Sequence, residues 1–513
     1  MALQTDTGSE AVHPVRPVRT RSDRWAVLAA GVILALLGTG EPHSIAIAAW
    51  LAPVFLLRFV RDSRPVLGLG VVALVGVAAS VLWSWKIAVI SGLPLAAMAL
   101  SGAMTVLPYI FDRLAGIRLE PIMRLALFPS VIVALEYAQI KLSPFGTIHG
   151  LLVDTQLGDL ALLQLSSVVG PTGVGFLIGG FATVLNYLWE VRRAGQWVAI
   201  VCALTLLFVI GAGSARISFA PIAGKQTVRI AGITPDTDAV LEQYAAAGYP
   251  GRAYLIRPPR FDPDSVRQQT AAIVDDLFSK TRAAAHAGAK IVMWSETAAA
   301  VSEAALPAFL SRAQRTARED NIYLEVTSDT YRKNRQDLNE NFLIGPDGTV
   351  LWHYRKRHPV PGQEDQFEHG SATPPVVSTP YGRLSSVICF DGDFPALLQV
   401  DADIMLIPSA DWPEDSPMHT QLAALRGIEN GYSVVRTDSS GQSAAFDRYG
   451  RILATQDTTV KQTEIWYADV PVRGALTLYR MLGDTLAWLS ILAVVILTAV
   501  AVAQVKCPRT EPQ

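Results

Sequence analysis

Apolar runs of about membrane-spanning length recur along the chain, and they constrain its fold more than any other feature. They fall at about residues 25–40, 44–60, 65–84, 87–110, 122–142, 160–189 and 197–215, with a last one at Leu486–Val505. A run of roughly 20 apolar residues crosses a bilayer core as a helix, because a helix satisfies its own backbone polar groups where no water is at hand. About eight spans are therefore expected. Half of the 513 residues are apolar and only 17% are charged, too apolar a balance for an ordinary soluble enzyme. The formal net charge of −2 gives no sign of a nucleic-acid partner.

The connecting loops alternate in charge. Arg58, Arg61 and Arg64 lie between the second and third runs, and Arg113, Arg118 and Arg124 between the fourth and fifth. Arg192 and Arg193 lie between the sixth and seventh, and Lys506 and Arg509 follow the last. Glu41–His43, the stretch around Lys86 and Lys141–Asp159 are poor in Lys and Arg. Basic loops stay on the cytoplasmic side. Both termini are thus expected in the cytoplasm, and the polar segment 218–483 outside, between a seven-span region at 25–217 and a last span with its short tail at 484–513. Residues 1–24, rich in Pro and Arg, read as a disordered tail. The Gly- and Pro-broken loop Lys141–Asp159 reads either as a connector or as a segment dipping into the interface beside the external domain. Glu136, near the outer end of the fifth run, is either a functional intramembrane carboxylate or one that snorkels to the interface.

The segment between the last two spans alternates strand and helix signals, which predicts an α/β domain. Strands are expected at Thr227–Ile233, Lys290–Trp294, Ile322–Thr327, Leu384–Ile388 and Ile404–Ile407. Helices are expected at Asp264–Ala287 with Asp264 as cap, at Ser302–Glu319, and at Ser416–Asn430 with Ser416 as cap and Gly431 just beyond. Pro346-Asp347-Gly348 marks a hairpin. Tyr432–Arg436, Ser443–Phe446 and Glu464–Val470 read as closing strands.

Three reactive residues then stand at or just past strand ends: Glu296, Lys356 and Cys389. Strand ends in α/β sheets present side chains to a cleft. Taken singly, each has a plainer reading: a helix-cap carboxylate, a solvated basic turn, a buried thiol. Together they supply a base, a cation and a nucleophile. A free thiol is only slightly ionised near neutral pH, so it needs a proton acceptor. A lysine can stabilise the oxyanion of a tetrahedral intermediate. Of the three cysteines, Cys202 falls in a span and Cys507 in the tail, so Cys389 has no expected disulfide partner, and the spacing fits no zinc motif.

The stretches WSE at Trp294–Glu296, YRKRHPVPGQE at Tyr354–Glu364 and ICFDGDFP at Ile388–Pro395 resemble those of the carbon–nitrogen hydrolase (nitrilase) superfamily. The span layout narrows the resemblance to the apolipoprotein N-acyltransferase family, along nearly the whole chain. The resemblance implies an αββα sandwich outside a polytopic helical bundle, in a bacterial cytoplasmic membrane. It implies Glu296 as general base, Lys356 as oxyanion stabiliser and Cys389 as nucleophile. Glu364, Phe390, Asp391 and Trp412 fall at supporting or substrate-binding positions. The implied reaction moves an acyl chain from a membrane phospholipid, through a Cys389 thioester, to the N-terminal α-amine of a diacylated apolipoprotein. It calls for no cofactor and no metal, and implies a monomer. The alternative is a membrane-tethered amidase with water as acceptor. The sequence departs from the family pattern in HPVPGQE, where the usual Phe before Gly-Glu is missing, in Asp391, where Glu is common, and in SADWPED, where the family reads like N-A-W-F.

Overall fold

The computed structural model describes residues 21–40, 44–86, 95–148, 150–191, 195–220, 226–246, 262–263, 266–413, 415–458 and 465–506. The sequence features at 1–20, Glu41–His43, Arg192, Arg193, Asp264, Cys507 and Arg509 lie outside these residues. The membrane-facing part contains α1 (Arg21–Leu37), α2 (Ala46–Asp62), α3 (Pro65–Lys86), α4 (Leu95–Met104), α5 (Leu107–Leu114), α6 (Pro121–Leu142), α7 (Leu160–Leu163), α8 (Ser166–Val169), α9 (Thr172–Val191) and α10 (Gln196–Ser218). The domain adds α11 (Thr237–Ala246), α12 (Val266–His286), α13 (Leu306–Glu319), α14 (Pro395–Leu398), α15 (Ser416–Asn430) and α16 (Leu478–Leu482), and α17 (Thr485–Lys506) follows.

Among the described residues, five helices are long and apolar enough to cross a membrane: α3, α6, α9, α10 and α17. The eight apolar runs do not all become single spans. The helix α1 begins at Arg21 and so includes the end of the expected disordered tail. It and α2 have 17 residues each. The fourth run contains two helices, α4 and α5, and Pro108 near the start of α5 has no N–H with which to continue a preceding helix. The sixth run, expected at 160–189, is broken into α7, α8 and α9. Gly170 has φ 79° and Pro171 follows it, so the backbone leaves the helical region at that point.

The two ends of the bundle differ. At one end, Arg61 from α2 and Arg124 from α6 pair with Asp112 of α5 at 2.6 and 3.0 Å, and Arg58 and Arg61 reach Glu190 of α9 at 3.4 and 3.3 Å. The Arg-rich loops after α2 and α5 therefore meet on one face. The opposite end of α6 carries Lys141, paired with Asp484 at 3.0 Å beside the α/β domain. A helix of 22 residues is roughly 33 Å long, so these two faces are about a bilayer core apart.

The domain is an αββα sandwich. Its strands are β1 (Thr227–Ile233), β2 (Ile291–Trp294), β3 (Ala299–Ser302), β4 (Tyr323–Tyr331), β5 (Leu338–Ile344), β6 (Val350–Arg355), β7 (Val376–Thr379), β8 (Gly382–Ser386), β9 (Ile404–Ser409), β10 (Ser433–Asp438), β11 (Gln442–Phe446), β12 (Ile452–Asp457) and β13 (Ile465–Pro471). One sheet runs β13-β1-β2-β4-β5-β6 with β3 beside β4, and the other runs β12-β11-β10-β9-β8-β7. Apolar residues of both sheets, among them Ile230, Met293, Ile404 and Leu406, form the core between them. The outer face of the first sheet is covered by α12 and α13. The outer face of the second is covered by α15.

Three local expectations change here. The stretch Ser302–Glu319 begins as the end of β3 and becomes helical only at Leu306. Ser416 does not cap α15; its hydroxyl donates to Asp438 Oδ2 at 2.9 Å. The strand before Cys389 ends at Ser386, not Ile388. The hairpin at Pro346-Asp347-Gly348 joins β5 to β6, with Gly348 at φ 84°.

The helix α15 belongs to both halves of the molecule. Ala423 packs on the second sheet, while Met418, Leu422, Leu425 and Ile428 form a stripe at helical spacing that packs with Leu151, Val153 and Ile178 of the bundle. The loop after α6 lies against it and docks on the domain through Thr147, whose N–H and hydroxyl donate to Asp393 O at 2.8 and 2.9 Å. Glu136 is buried, and its Oε1 accepts from Leu152 N at 2.8 Å. It anchors this loop rather than snorkelling to the interface.

Candidate active site

The expected reactive residues come from carboxyl-terminal ends of strands, and the sandwich brings those ends together. Glu296 lies two residues past β2, Lys356 directly after β6, and Cys389 three residues past β8. Glu296 Oε1 accepts from Lys356 Nζ at 2.7 Å and from Asn339 Nδ2 at 2.7 Å. Lys356 Nζ also pairs with Glu364 Oε2 at 2.7 Å, and Glu364 Oε2 accepts from Val360 N at 2.7 Å. All three of Glu296, Lys356 and Cys389 are buried.

Two strained positions sit in this arrangement. Cys389 opens a 3-10 turn, Cys389–Asp393, at φ 44°, and Thr297, next to Glu296, has φ 48°. A positive φ at a β-branched residue is a genuine outlier, and such strain costs of the order of 1–3 kcal/mol per residue. It aims the two side chains into a common space.

The charges are strongly coupled. Burial alone would lower the Lys356 ammonium, but Glu296 and Glu364 outweigh it and hold the lysine well above its ordinary value. Burial pushes the Cys389 thiol well up; Glu296 adds to this, Lys356 opposes it, and Asp411 adds again. Cys389 therefore rests as a thiol. Burial also raises Glu364.

A cavity of about 970 Å³ joins these groups to the helical bundle. Glu296, Lys356, Glu364, Cys389, Phe390 and Trp412 line its domain end. Val72, Val75, Ala79 and Trp83, one face of α3, line it on the membrane side. Those positions span roughly 17 Å along the helix axis, close to the ~15 Å of one bilayer leaflet. Asp391 is not among the lining residues. It is buried and accepts from Tyr354 OH at 2.8 Å, His358 N at 2.8 Å and Arg357 N at 3.2 Å. It ties the lysine strand to the cysteine turn, a contact that fits the supporting one of the two places expected for it.

The profile of the apolipoprotein N-acyltransferase N-terminal domain matches residues 30–184, and that of the carbon–nitrogen hydrolase family matches residues 245–475. An apolipoprotein N-acyltransferase of Geobacter metallireducens is 25% identical over 525 residues, covering 94% of this chain and 95% of its own. The chain belongs to the apolipoprotein N-acyltransferase family. It is an enzyme of that family. Other relatives match in part. A human deaminated glutathione amidase is 29% identical over 27% of this chain and 51% of its own. An amidase from Nesterenkonia sp. of known structure superposes with a TM-score of 0.38 at 20% identity, covering 49% of this chain and 94% of its own.

This member of the apolipoprotein N-acyltransferase family carries a second polar cluster that the sequence reading did not single out. Asp411, two residues past β9, has its Oδ1 at 3.5 Å from Cys389 Sγ. Arg436 of β10 donates to both its oxygens, at 2.7 and 2.8 Å, and His419 Nδ1 of α15 lies 2.9 Å from Oδ1. His419 Nε2 lies 2.7 Å from Asp393 Oδ2. Burial would raise the Asp411 carboxyl, but Arg436 and His419 hold it well below the usual carboxylate range. Burial would lower His419, but Asp393 and Asp411 hold its imidazolium well above the ordinary value. Cys389, Asp411 and His419 offer ligand atoms within 4.8 Å of one another. The Arg436 guanidinium already occupies Asp411 there, and a cation would have to displace it. The sequence offered one signal for this cluster, the place of Asp411 just past a strand end like Glu296, and none for His419 or Arg436.

Proposed function

We propose that this enzyme moves an acyl chain from a membrane phospholipid to the α-amine of a diacylglyceryl-modified N-terminal cysteine on a lipoprotein. Glu296 takes the proton of Cys389, and Sγ attacks the ester carbonyl of the phospholipid. Lys356 and the N–H of Phe390 face the oxyanion of the tetrahedral intermediate. Glu296 returns its proton to the departing lysophospholipid oxygen, leaving a thioester on Cys389. The acceptor amine then attacks the thioester carbonyl, a C–N bond forms, the C–S bond breaks, and the thiol is restored. The domain stands on the external face of the membrane, where the acceptor's modified N-terminus is anchored.

The observation that carries this reading is the continuity of the cavity from Cys389 to the apolar face of α3. An amidase acting on small polar substrates has no use for such an arm, whereas a lipid acyl chain fills it. The names of the Geobacter and Azotobacter vinelandii relatives, both apolipoprotein N-acyltransferases, agree with it. The test is to incubate the membrane protein with phospholipid and weigh it. A mass increase of one acyl chain on Cys389, removed by adding a diacylated lipopeptide with a free amine, is the expected result. Release of free fatty acid at the same rate with and without lipopeptide would establish the hydrolase instead.

A further inference from the structure

Glu296 reaches Cys389 from the first sheet, and Asp411 reaches it from the second. The two carboxylates differ in how they are held. Glu296 is bound to Lys356 and Asn339. Asp411 is clamped by an arginine in fork geometry and by a histidine, which fix it as an ionised acceptor. A carboxylate offers about four acceptor sites. Arg436 and His419 take both sites on Oδ1, from which Cys389 Sγ lies 3.5 Å away, and Arg436 takes one of the two on Oδ2. The same residue lines the cavity together with Ala410, Trp412 and Ser440.

We propose that Asp411 is the docking group for the acceptor's α-ammonium in the second half of the reaction. This rests on the acyl-transfer reading above. Once Cys389 is acylated its sulfur bears no proton and its contact with Oδ1 is lost, and the second acceptor site of Oδ2, beside the single bond from Arg436, takes the ammonium. The attacking nitrogen must come within bonding range of the carbonyl carbon attached to Sγ, so it arrives beside Asp411. A carboxylate held so firmly ionised is a poor base and a good partner for an ammonium. It orients the R–NH3+ group with one N–H on its oxygen, while Glu296 removes another of the three protons. The freed lone pair attacks the thioester carbon, the C–N bond forms and the C–S bond breaks. The second proton lost by nitrogen restores the Cys389 thiol, and the proton on Glu296 passes to solvent. The overall change is ammonium plus thioester to amide, thiol and one proton.

The experiment uses full-length protein in lipid nanodiscs, loaded to the acyl-enzyme with phospholipid. The acyl-enzyme is then discharged either by a diacylated lipopeptide, whose α-amine is an ammonium at neutral pH, or by hydroxylamine, which is uncharged there. Hydrogen bonds to charged groups are worth roughly one to two powers of ten in an equilibrium. Asp411→Asn should therefore raise the lipopeptide KM by roughly tenfold to a hundredfold and slow hydroxylamine far less. Asp411→Glu keeps the charge and its pairing with Arg436, and should recover part of the lipopeptide rate. An equal loss with both nucleophiles would make Asp411 a structural residue and overturn the proposal. No loss with either would overturn it as well. Failure of the wild type to form any acyl-enzyme would instead bring down the acyl-transfer reading on which it rests.

Discussion

Cys389 is held as a thiol by burial and by the neighbouring charges of Glu296 and Asp411. Below a raised pKa the thiolate fraction grows about tenfold per pH unit. In a Cys202→Ser, Cys507→Ser background, alkylation of Cys389 by iodoacetamide should climb by about that factor per unit through the ordinary thiol range, with no plateau by about pH 9. Glu296→Gln should separate two properties of this site. It removes a charge that opposes the thiolate, so alkylation of the resting enzyme should reach its plateau at lower pH. It also removes the base, so acyl-enzyme formation from phospholipid should fall by roughly 10²–10⁴. A fall in both, followed by mass spectrometry and alkylation kinetics, would show that the carboxylate supports the thiol's geometry rather than its proton. The sequence made Glu296, Lys356 and Cys389 legible because each follows an apolar strand. Asp411 also follows an apolar strand, β9, but His419 of α15 and Arg436 of β10 gave no comparable signal, since they meet it only when the second sheet is covered.

Two elements position the site from outside it. The loop after α6 approaches the cysteine turn so closely that a Cβ on Gly146 would fall 2.3 Å from Asp393 O, and Gly146 has φ 54°. Gly146→Ala should destabilise by about 1 kcal/mol or more, because both the space and the backbone conformation exclude a side chain. The measurement is a thermal unfolding curve, with acyl-enzyme formation slowed in parallel at permissive temperature. The second element is the turn after Lys356. By its sequence the stretch at about Pro359–His369 is expected to be a mobile loop close to the membrane surface that selects the donor loosely, because the Gly362-Gln363 pair stands in place of the family's Phe. Within the turn Phe367 N donates to Glu364 O at 2.9 Å, and Glu368 N ties its later end to Asp337 O at 2.9 Å. Gly362 has φ 79°, so a side chain there adds backbone strain to any effect on the donor. Gln363 lines the cavity without that constraint. Gln363→Phe should sharpen selection among phospholipids of different headgroup in a competition assay, and unchanged selection would remove this turn from donor choice. On the membrane side, Ala79→Phe should obstruct the α3 face. Acyl-enzyme formation should then fall at least roughly tenfold with long-chain donors and less with short-chain ones, since an added aromatic ring overfills an occupied arm.

At the scale of the molecule, one face of the bundle carries the paired Arg58, Arg61 and Arg124, and the other carries the sandwich. Positive loops mark the cytoplasmic side. In intact cells, a cysteine placed at exposed Glu319 of α13 should react with a membrane-impermeant thiol reagent, and one at exposed Arg118 should react only after the membrane is opened. Equal labelling of both would invert or abolish this topology. The sandwich is not merely tethered to the bundle, because α15 packs on both. Separating the domain by truncation should expose Met418, Leu422, Leu425 and Ile428 and cause aggregation, seen by size-exclusion chromatography.

The amino-acid sequence by itself determined that this is an α/β domain set before the last of a series of apolar runs, because hydrophobic run length and strand periodicity are local properties. It also marked Gly431 just past the end of α15, since the left-handed conformation that stops a helix is a property of a single residue. Only the tertiary structure decided that Gly170-Pro171 splits an apolar run, since run length alone does not reveal which turn its neighbours stabilise. It also decided that Glu136 anchors a loop, that Asp391 faces the strands rather than the cavity, and that Asp411 stands beside the nucleophile. Each of these depends on which distant groups share a buried space. That sharing is set by packing of the whole chain, where one unpaired carboxylate costs more than any local preference gains.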